Sequence, residues 1–162
     1  MNLYLVQHGK AVDKTVDPER PLSPEGEADI DSVARFVEAV RANVPEVWHS
    51  GEARTHQTAE RLARRVSARG KVLERQGLAP KDPVQPVLDE LEGRHEDLMI
   101  VGHLPFISRL AGLLLVGDEK ASPVAFEKGG VVCLGRAPDG TWDVRWMVTP
   151  KLLAESSDDG TA

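Results

Sequence analysis

A layered α/β domain with a largely parallel sheet is the fold class this sequence predicts. Strand-like apolar runs alternate with helical stripes along most of the chain. Near its end, two further strand-like segments, 130–136 and 141–148, flank Pro138-Asp139-Gly140, a turn signal for an antiparallel edge hairpin. No internal repeat disturbs the order. The length of 162 residues suits a single domain, expected over 1–154, that can bury one core without metals or cross-links.

The run Leu3-Tyr4-Leu5-Val6 opens the chain as a strand, and a polar loop follows over 9–22. Ser23-Pro24-Glu25 then supplies a cap, a first-turn proline and an early acid for a helix. Ile30, Val33, Ala34, Val37 and Val40 recur at helical spacing as its inner face, and Pro45 sets a limit on its end. Val47 to Ser50 is a short strand. A second helix is expected from about Glu52 to Arg69, with Ala59, Leu62, Ala63 and Val66 inward and Gly70 as its stop. The segment 82–94 forms a weaker helix interrupted by Pro86. The continuous run Leu98-Met99-Ile100-Val101 lies in a buried strand over Asp97–Gly102, and a fourth helix follows from Pro105. The tail from Glu155, rich in Ser, Asp and Gly, is expected to be disordered.

Composition narrows the classes of function. Asp and Glu outnumber Lys and Arg by 26 to 20, and the formal charge of -6 disfavours nonspecific binding to nucleic acid or acidic membranes. The lone cysteine, Cys133, sits in an apolar run and reads as a small buried hydrophobe, which fits a reducing cytoplasm. The chain begins directly at Met1-Asn2-Leu3, and no apolar run reaches spanning length, so neither a secretory signal nor a membrane span is expected.

Three groups at strand ends carry the chemistry. Gln7-His8-Gly9 follows the first strand, Ser50 and Arg54 follow the second, and Gly102-His103 closes the third apolar run. In open α/β sheets ligands bind beyond the carboxyl ends of the strands, so two imidazoles and a guanidinium can converge there. A phosphoryl group is their natural ligand. Histidine attacks phosphorus when its ring is neutral and oriented, which makes His8 the candidate nucleophile. Arg54 can grip two phosphate oxygens near a helix start, His103 adds a second imidazole, and Ser50 and Thr55 are expected hydroxyl donors.

These residues belong to a longer series: Leu5-Val6-Gln7-His8-Gly9, Asp17, Arg20-Pro21-Leu22, Gly26, Ser50, Arg54, Gln57-Thr58-Ala59, Leu78-Ala79-Pro80, Gly102-His103-Leu104-Pro105 and Trp146-Met147-Val148-Thr149-Pro150. In this order and at these separations the chain resembles the histidine phosphatase superfamily and, within it, the SixA-type phosphohistidine phosphatases. The resemblance runs nearly end to end. It implies a three-layer αβα sandwich of the phosphoglycerate mutase-like type, with His8 as phosphorylated nucleophile and Arg54 and His103 as catalytic phosphate ligands. Gln7, Gly9, Arg20 and Ser50 join them as phosphate-binding residues, with no metal and no cofactor.

Two departures shape the expected activity. The family pattern has an arginine directly before the nucleophile, where this chain has the uncharged Gln7; Arg20 or Lys10, on the flanking loop, can supply the missing cation. Acid phosphatases of the superfamily follow their second histidine with an aspartate, where this chain has Leu104, as resembles the SixA branch. Asp82 and Glu25 are the remaining candidates for a proton donor, each also readable as a solvated charge. A phosphohistidine donor eases this requirement, because solvent can protonate its imidazole. With only about fifty residues between Arg54 and His103, the site is expected to be shallow and open to a protein side chain.

The expected function is removal of phosphoryl groups from protein histidine. A phosphomonoesterase for a small phosphorylated metabolite, or a weakened phosphate- or phosphoprotein-binding module, are the alternatives. His49, His56 and His95 lack ligand spacing and read as surface or helix-flank residues. Arg61, Arg64, Arg65 and Arg69 form a solvated basic stripe on the second helix, and Trp48, Trp142 and Trp146 pack in or beside the core.

Overall fold

Alternation of apolar runs and helical stripes folds into eleven elements among the residues described by the computed structural model, 1–67 and 71–154. They are β1 (Asn2–Gln7), α1 (Pro24–Ala39), β2 (Glu46–His49), α2 (Ala53–Val66), β3 (Lys71–Glu74), α3 (Gln85–Glu92), β4 (Leu98–Gly102), α4 (Phe106–Val116), β5 (Val131–Arg136), β6 (Trp142–Val148) and α5 (Pro150–Leu153). The strands form one sheet in the order β3-β2-β4-β1-β5-β6. The first four are mutually parallel, β5 is antiparallel to β1, and β6 returns antiparallel to β5. The edge hairpin is therefore present as expected.

Side-chain alternation along the central strands divides the core. Tyr4, Val6, Met99 and Val101 face Ile30 and Val33 of α1 and Leu62 of α2. Leu3, Leu5, Leu98 and Ile100 face Leu91 of α3 and Phe106 and Leu110 of α4. Helices thus cover both faces, which is why β1 and β4 read as continuous apolar runs. Burying each such side chain contributes about 1.5–3 kcal/mol. Trp48 is buried, Trp146 packs on Tyr4 and Phe36, and Cys133 is enclosed in the core.

Helix α1 starts as its cap dictates: Ser23 Oγ accepts from the amide of Gly26 at 3.0 Å, and Pro24 occupies the first turn. Its inner stripe is one residue shorter than expected. Val40 caps the helix and is 44% exposed, because the chain turns away at Arg41, where φ is 60°. Pro86 starts α3 rather than interrupting it, since proline's missing N–H costs nothing in a first turn. His49, expected at the surface, is buried in β2 and stacked on His56 at 4.6 Å between ring centroids.

Two elements had no expectation behind them. β3 is a four-residue edge strand with only Val72 and Leu73 apolar, too brief to show a period, and α5 is one turn capped by Thr149 Oγ1. The expected end of α2 at Arg69 and Gly70, and the tail from Glu155, lie outside the described residues. The basic stripe on α2 is partly neutralised: Arg61 pairs with Asp31 at 2.9 Å and Glu27 at 3.0 Å, and Arg65 with Glu38 at 3.1 Å. These pairs tie α2 to α1.

The 9–22 loop is anchored across the carboxyl edge of the sheet. Ala11 bridges Leu22, the amide of Leu22 donates to Gln57 Oε1 at 2.7 Å, and the amide of Ser23 donates to Lys10 O at 2.9 Å. Gly26 permits this approach, since a Cβ there would stand 2.0 Å from Lys10 O.

Candidate active site

Parallel pairing of β2, β4 and β1 brings their carboxyl ends into one row, so Ser50, His103 and His8 follow one another along the sheet edge. Gln7 pairs in register with Gly102, and the amide of His8 continues the ladder to Gly102 O at 3.1 Å. The two imidazoles meet edge to face, 5.2 Å between centroids with planes at 62°.

Each ring has a defined tautomer. His8 Nδ1 lies 2.8 Å from Gly9 O, and a carbonyl only accepts, so Nδ1 carries the proton and Nε2 keeps its lone pair. His8 is 8% exposed, and burial pushes its pKa down to about 4 against the opposing pull of the Gly9 carbonyl; the charges of His103, Arg54 and Lys128 lower it further. The ring is neutral at physiological pH. His103 Nε2 lies 2.7 Å from Ser50 Oγ, Ser50 Oγ lies 3.0 Å from Thr55 Oγ1, and Thr55 Oγ1 donates to Glu52 O at 2.8 Å. With the Thr55 proton fixed on a carbonyl, Ser50 donates to Thr55 and accepts from His103 Nε2–H. Burial, then the nearby Arg54 charge, hold the His103 pKa at about 4.

Arg54 enters from the first turn of α2 with its side chain largely covered. Glu52 Oε2 lies 3.5 Å from one guanidinium nitrogen, while the buried Nε has no acceptor. Burial, with a smaller contribution from Arg20, lowers the Arg54 pKa against the pull of Glu52. Arg20 is therefore within electrostatic reach, on a loop where it holds φ at 48° and donates from Nε to Val12 O at 3.3 Å. Gln7 is 7% exposed and its Oε1 is buried without a donor.

Several candidates are committed elsewhere. The amide of Gly9, expected to bind phosphate, donates to Thr58 Oγ1 at 3.1 Å, and its carbonyl orients His8. Ser50 and Thr55, expected as hydroxyl donors, have both protons engaged in the chain that holds His103. Lys10 pairs with Glu25 at 2.6 Å, which occupies both the alternative cation and one of the proposed acids. Asp82 accepts from the amide of Ala79 at 2.9 Å and so stabilises a turn. Among the described residues no three His, Cys, Asp or Glu side chains form a metal-binding group.

Thr58 acts on the site although no role was expected of it. Thr58 donates to Arg54 O at 2.7 Å while accepting from Gly9 N, joining the nucleophile loop to the arginine helix. Its signal was a buried hydroxyl residue beside Ala59 and Leu62 on the inner face of α2.

No family model matches the chain. An uncharacterized protein of Picosynechococcus is 30% identical over 142 residues, covering 83% of this chain and 84% of its own. Among solved structures, the protein histidine phosphatase SixA complexed with tungstate superposes with a TM-score of 0.81 at 23% identity, over 94% of this chain and 99% of that one. Phosphoserine phosphatase from Entamoeba histolytica in complex with 3-phosphoglyceric acid gives 0.68 at 15% identity, over 94% and 98%. The fold is the one these phosphatases share.

Proposed function

From a chain that belongs to one family with the Picosynechococcus protein and has the histidine phosphatase fold, we propose a phosphohistidine phosphatase acting through a covalent phosphohistidine on His8. The observation that carries this reading is the buried, neutral His8, with Nδ1–H held by Gly9 O and Nε2 left as the lone-pair nitrogen.

In the first step the His8 Nε2 lone pair forms a bond to phosphorus as the bond from phosphorus to the donor imidazole breaks. Solvent supplies the proton that the departing imidazole needs. Water then attacks the phosphorus, the bond to Nε2 breaks, and His8 and inorganic phosphate are released. Most of the remaining catalysis is electrostatic, because charge spreads over the equatorial oxygens. Arg54, with an unpartnered buried N–H, and Arg20, within its reach, supply positive charge. An arriving phosphate dianion raises the basicity of His103, which then binds as an imidazolium. Agreement of the solved phosphatase folds with this chain supports the reaction class, and the sparse acid machinery favours a phosphoramidate donor over an ester.

Intact protein incubated with a phosphoramidate should gain an acid-labile phosphate that the His8→Ala variant lacks. A phosphohistidine protein should be hydrolysed faster than common phosphate monoesters. Absence of the labile label from the wild-type protein overturns the covalent route, and faster ester turnover shifts the substrate to a phosphorylated metabolite.

A further inference from the structure

The row of groups along the sheet edge continues past His8. Because β5 runs antiparallel to β1, its first residues lie beside the carboxyl end of β1, and the turn that leads into β5 lands next to the nucleophile. That turn is tight: the amide of Gly130 donates to Glu127 O at 2.9 Å, and Gly129 holds φ at 79°. The amide of Gly129 donates to Gln7 O at 2.9 Å and to His8 O at 3.2 Å, clamping the turn onto the two residues that begin the site. Lys128 stands at its tip, exposed, and its charge bears on His8. Among the described residues no carboxylate pairs with it, whereas Lys10, which lines the same surface cavity as Lys128, is held by Glu25.

We propose that Lys128 is a phosphate-binding residue of this site, closing on the phosphoryl group from the β5 side of His8 while Arg54 reaches it from the start of α2. This inference rests on the phosphoryl-transfer reading. A phosphoryl group in flight spreads negative charge over three oxygens, and cations on two sides of it stabilise more of that charge than one side can. Gln7, at the strand end between them, contributes no charge. A lysine on an exposed turn is free to swing over the incoming group, and its point charge needs no fixed geometry.

Lys128→Met, Lys128→Arg and wild-type protein test this. Each would be assayed for kcat/KM with a phosphohistidine protein and for tungstate affinity by calorimetry. Lys128→Met should lose about tenfold in both, with unchanged thermal unfolding, and Lys128→Arg should recover most of the loss. The imidazole of His8, followed by NMR, should titrate at higher pH in Lys128→Met, since a positive neighbour is gone. Equal rates and tungstate affinities in wild type and Lys128→Met, or a loss that Lys128→Arg does not restore, overturn the role of Lys128 alone. Wild-type protein that neither binds tungstate nor acquires acid-labile phosphate on His8 overturns the phosphoryl-transfer reading itself.

Discussion

Ser50 Oγ stands 2.7 Å from Nε2 of His103, and because Ser50 gives its own proton to Thr55, whose hydroxyl donates to Glu52 O, the contact places the proton of the second imidazole on Nε2. Ser50→Ala frees the ring to rotate and to exchange tautomers. The expected result is roughly a tenfold fall in kcat/KM with little change in stability, since misorientation of a catalytic group costs rate before it costs folding. Steady-state kinetics beside thermal unfolding would check it, and a rate equal to wild type would show that His103 is held without Ser50.

Thr58→Val keeps the volume but removes the hydroxyl shared by Gly9 N and Arg54 O. The buried Gly9 amide then lacks a partner, at a cost of about 1–3 kcal/mol. Urea unfolding should show the loss, and phosphoryl transfer should fall with it because the loop and α2 lose their shared anchor.

Both site histidines have pKa values near 4 in the fold against an ordinary 6.5. Between those values the unfolded chain takes up protons that the folded one refuses. Stability is thus unaffected by these groups above about pH 6.5 and declines as pH falls through the interval toward 4. The acidic limb on which phosphorylation of His8 fails, set by protonation of its own lone pair, should lie near pH 4. An acidic limb centred at 6.5 would show that His8 is not desolvated.

Gln7→Arg is expected to change the wild-type rate by less than about threefold, because Lys128 already brings charge to that side, yet to restore most of the rate lost in Lys128→Met. The four variants of this cycle, assayed together, measure the coupling directly. Equal effects of Gln7→Arg in both backgrounds would mean that the two positions serve separate needs.

Gly26→Ala should be among the most damaging small substitutions. Its Cβ would meet Lys10 O at 2.0 Å, and a backbone atom cannot rotate aside. A loss of roughly 1–3 kcal/mol is expected from the forced shift, read by denaturant unfolding.

Much of this was written locally in the chain. The Ser23-Pro24 start of α1 and the apolar runs of β1 and β4 carry their own signals, so the strand ends bearing His8 and His103 could be placed by pattern. The hydrogen-bond economy of the site could not. Whether the Gly9 amide and the Ser50 hydroxyl face phosphate or are engaged within the fold depends on partners 49 and 53 residues away. Lys128 was invisible for a related reason: it reaches His8 only through the antiparallel pairing of β5 with β1, which no local spacing announces. β3 was missed because four half-apolar residues at an edge show neither period nor length.

The two rims of the sheet bear on how the molecule behaves in crowded solution. One rim is β3, only Lys71–Glu74, with a charged side chain at each end; the other is β6, which carries the Asp143–Arg145 pair and faces an irregular register between Cys133 and Leu134. Brevity at one border, and charge with a kink at the other, make poor templates for an incoming foreign strand. Edge-to-edge pairing between neighbouring copies is thereby discouraged.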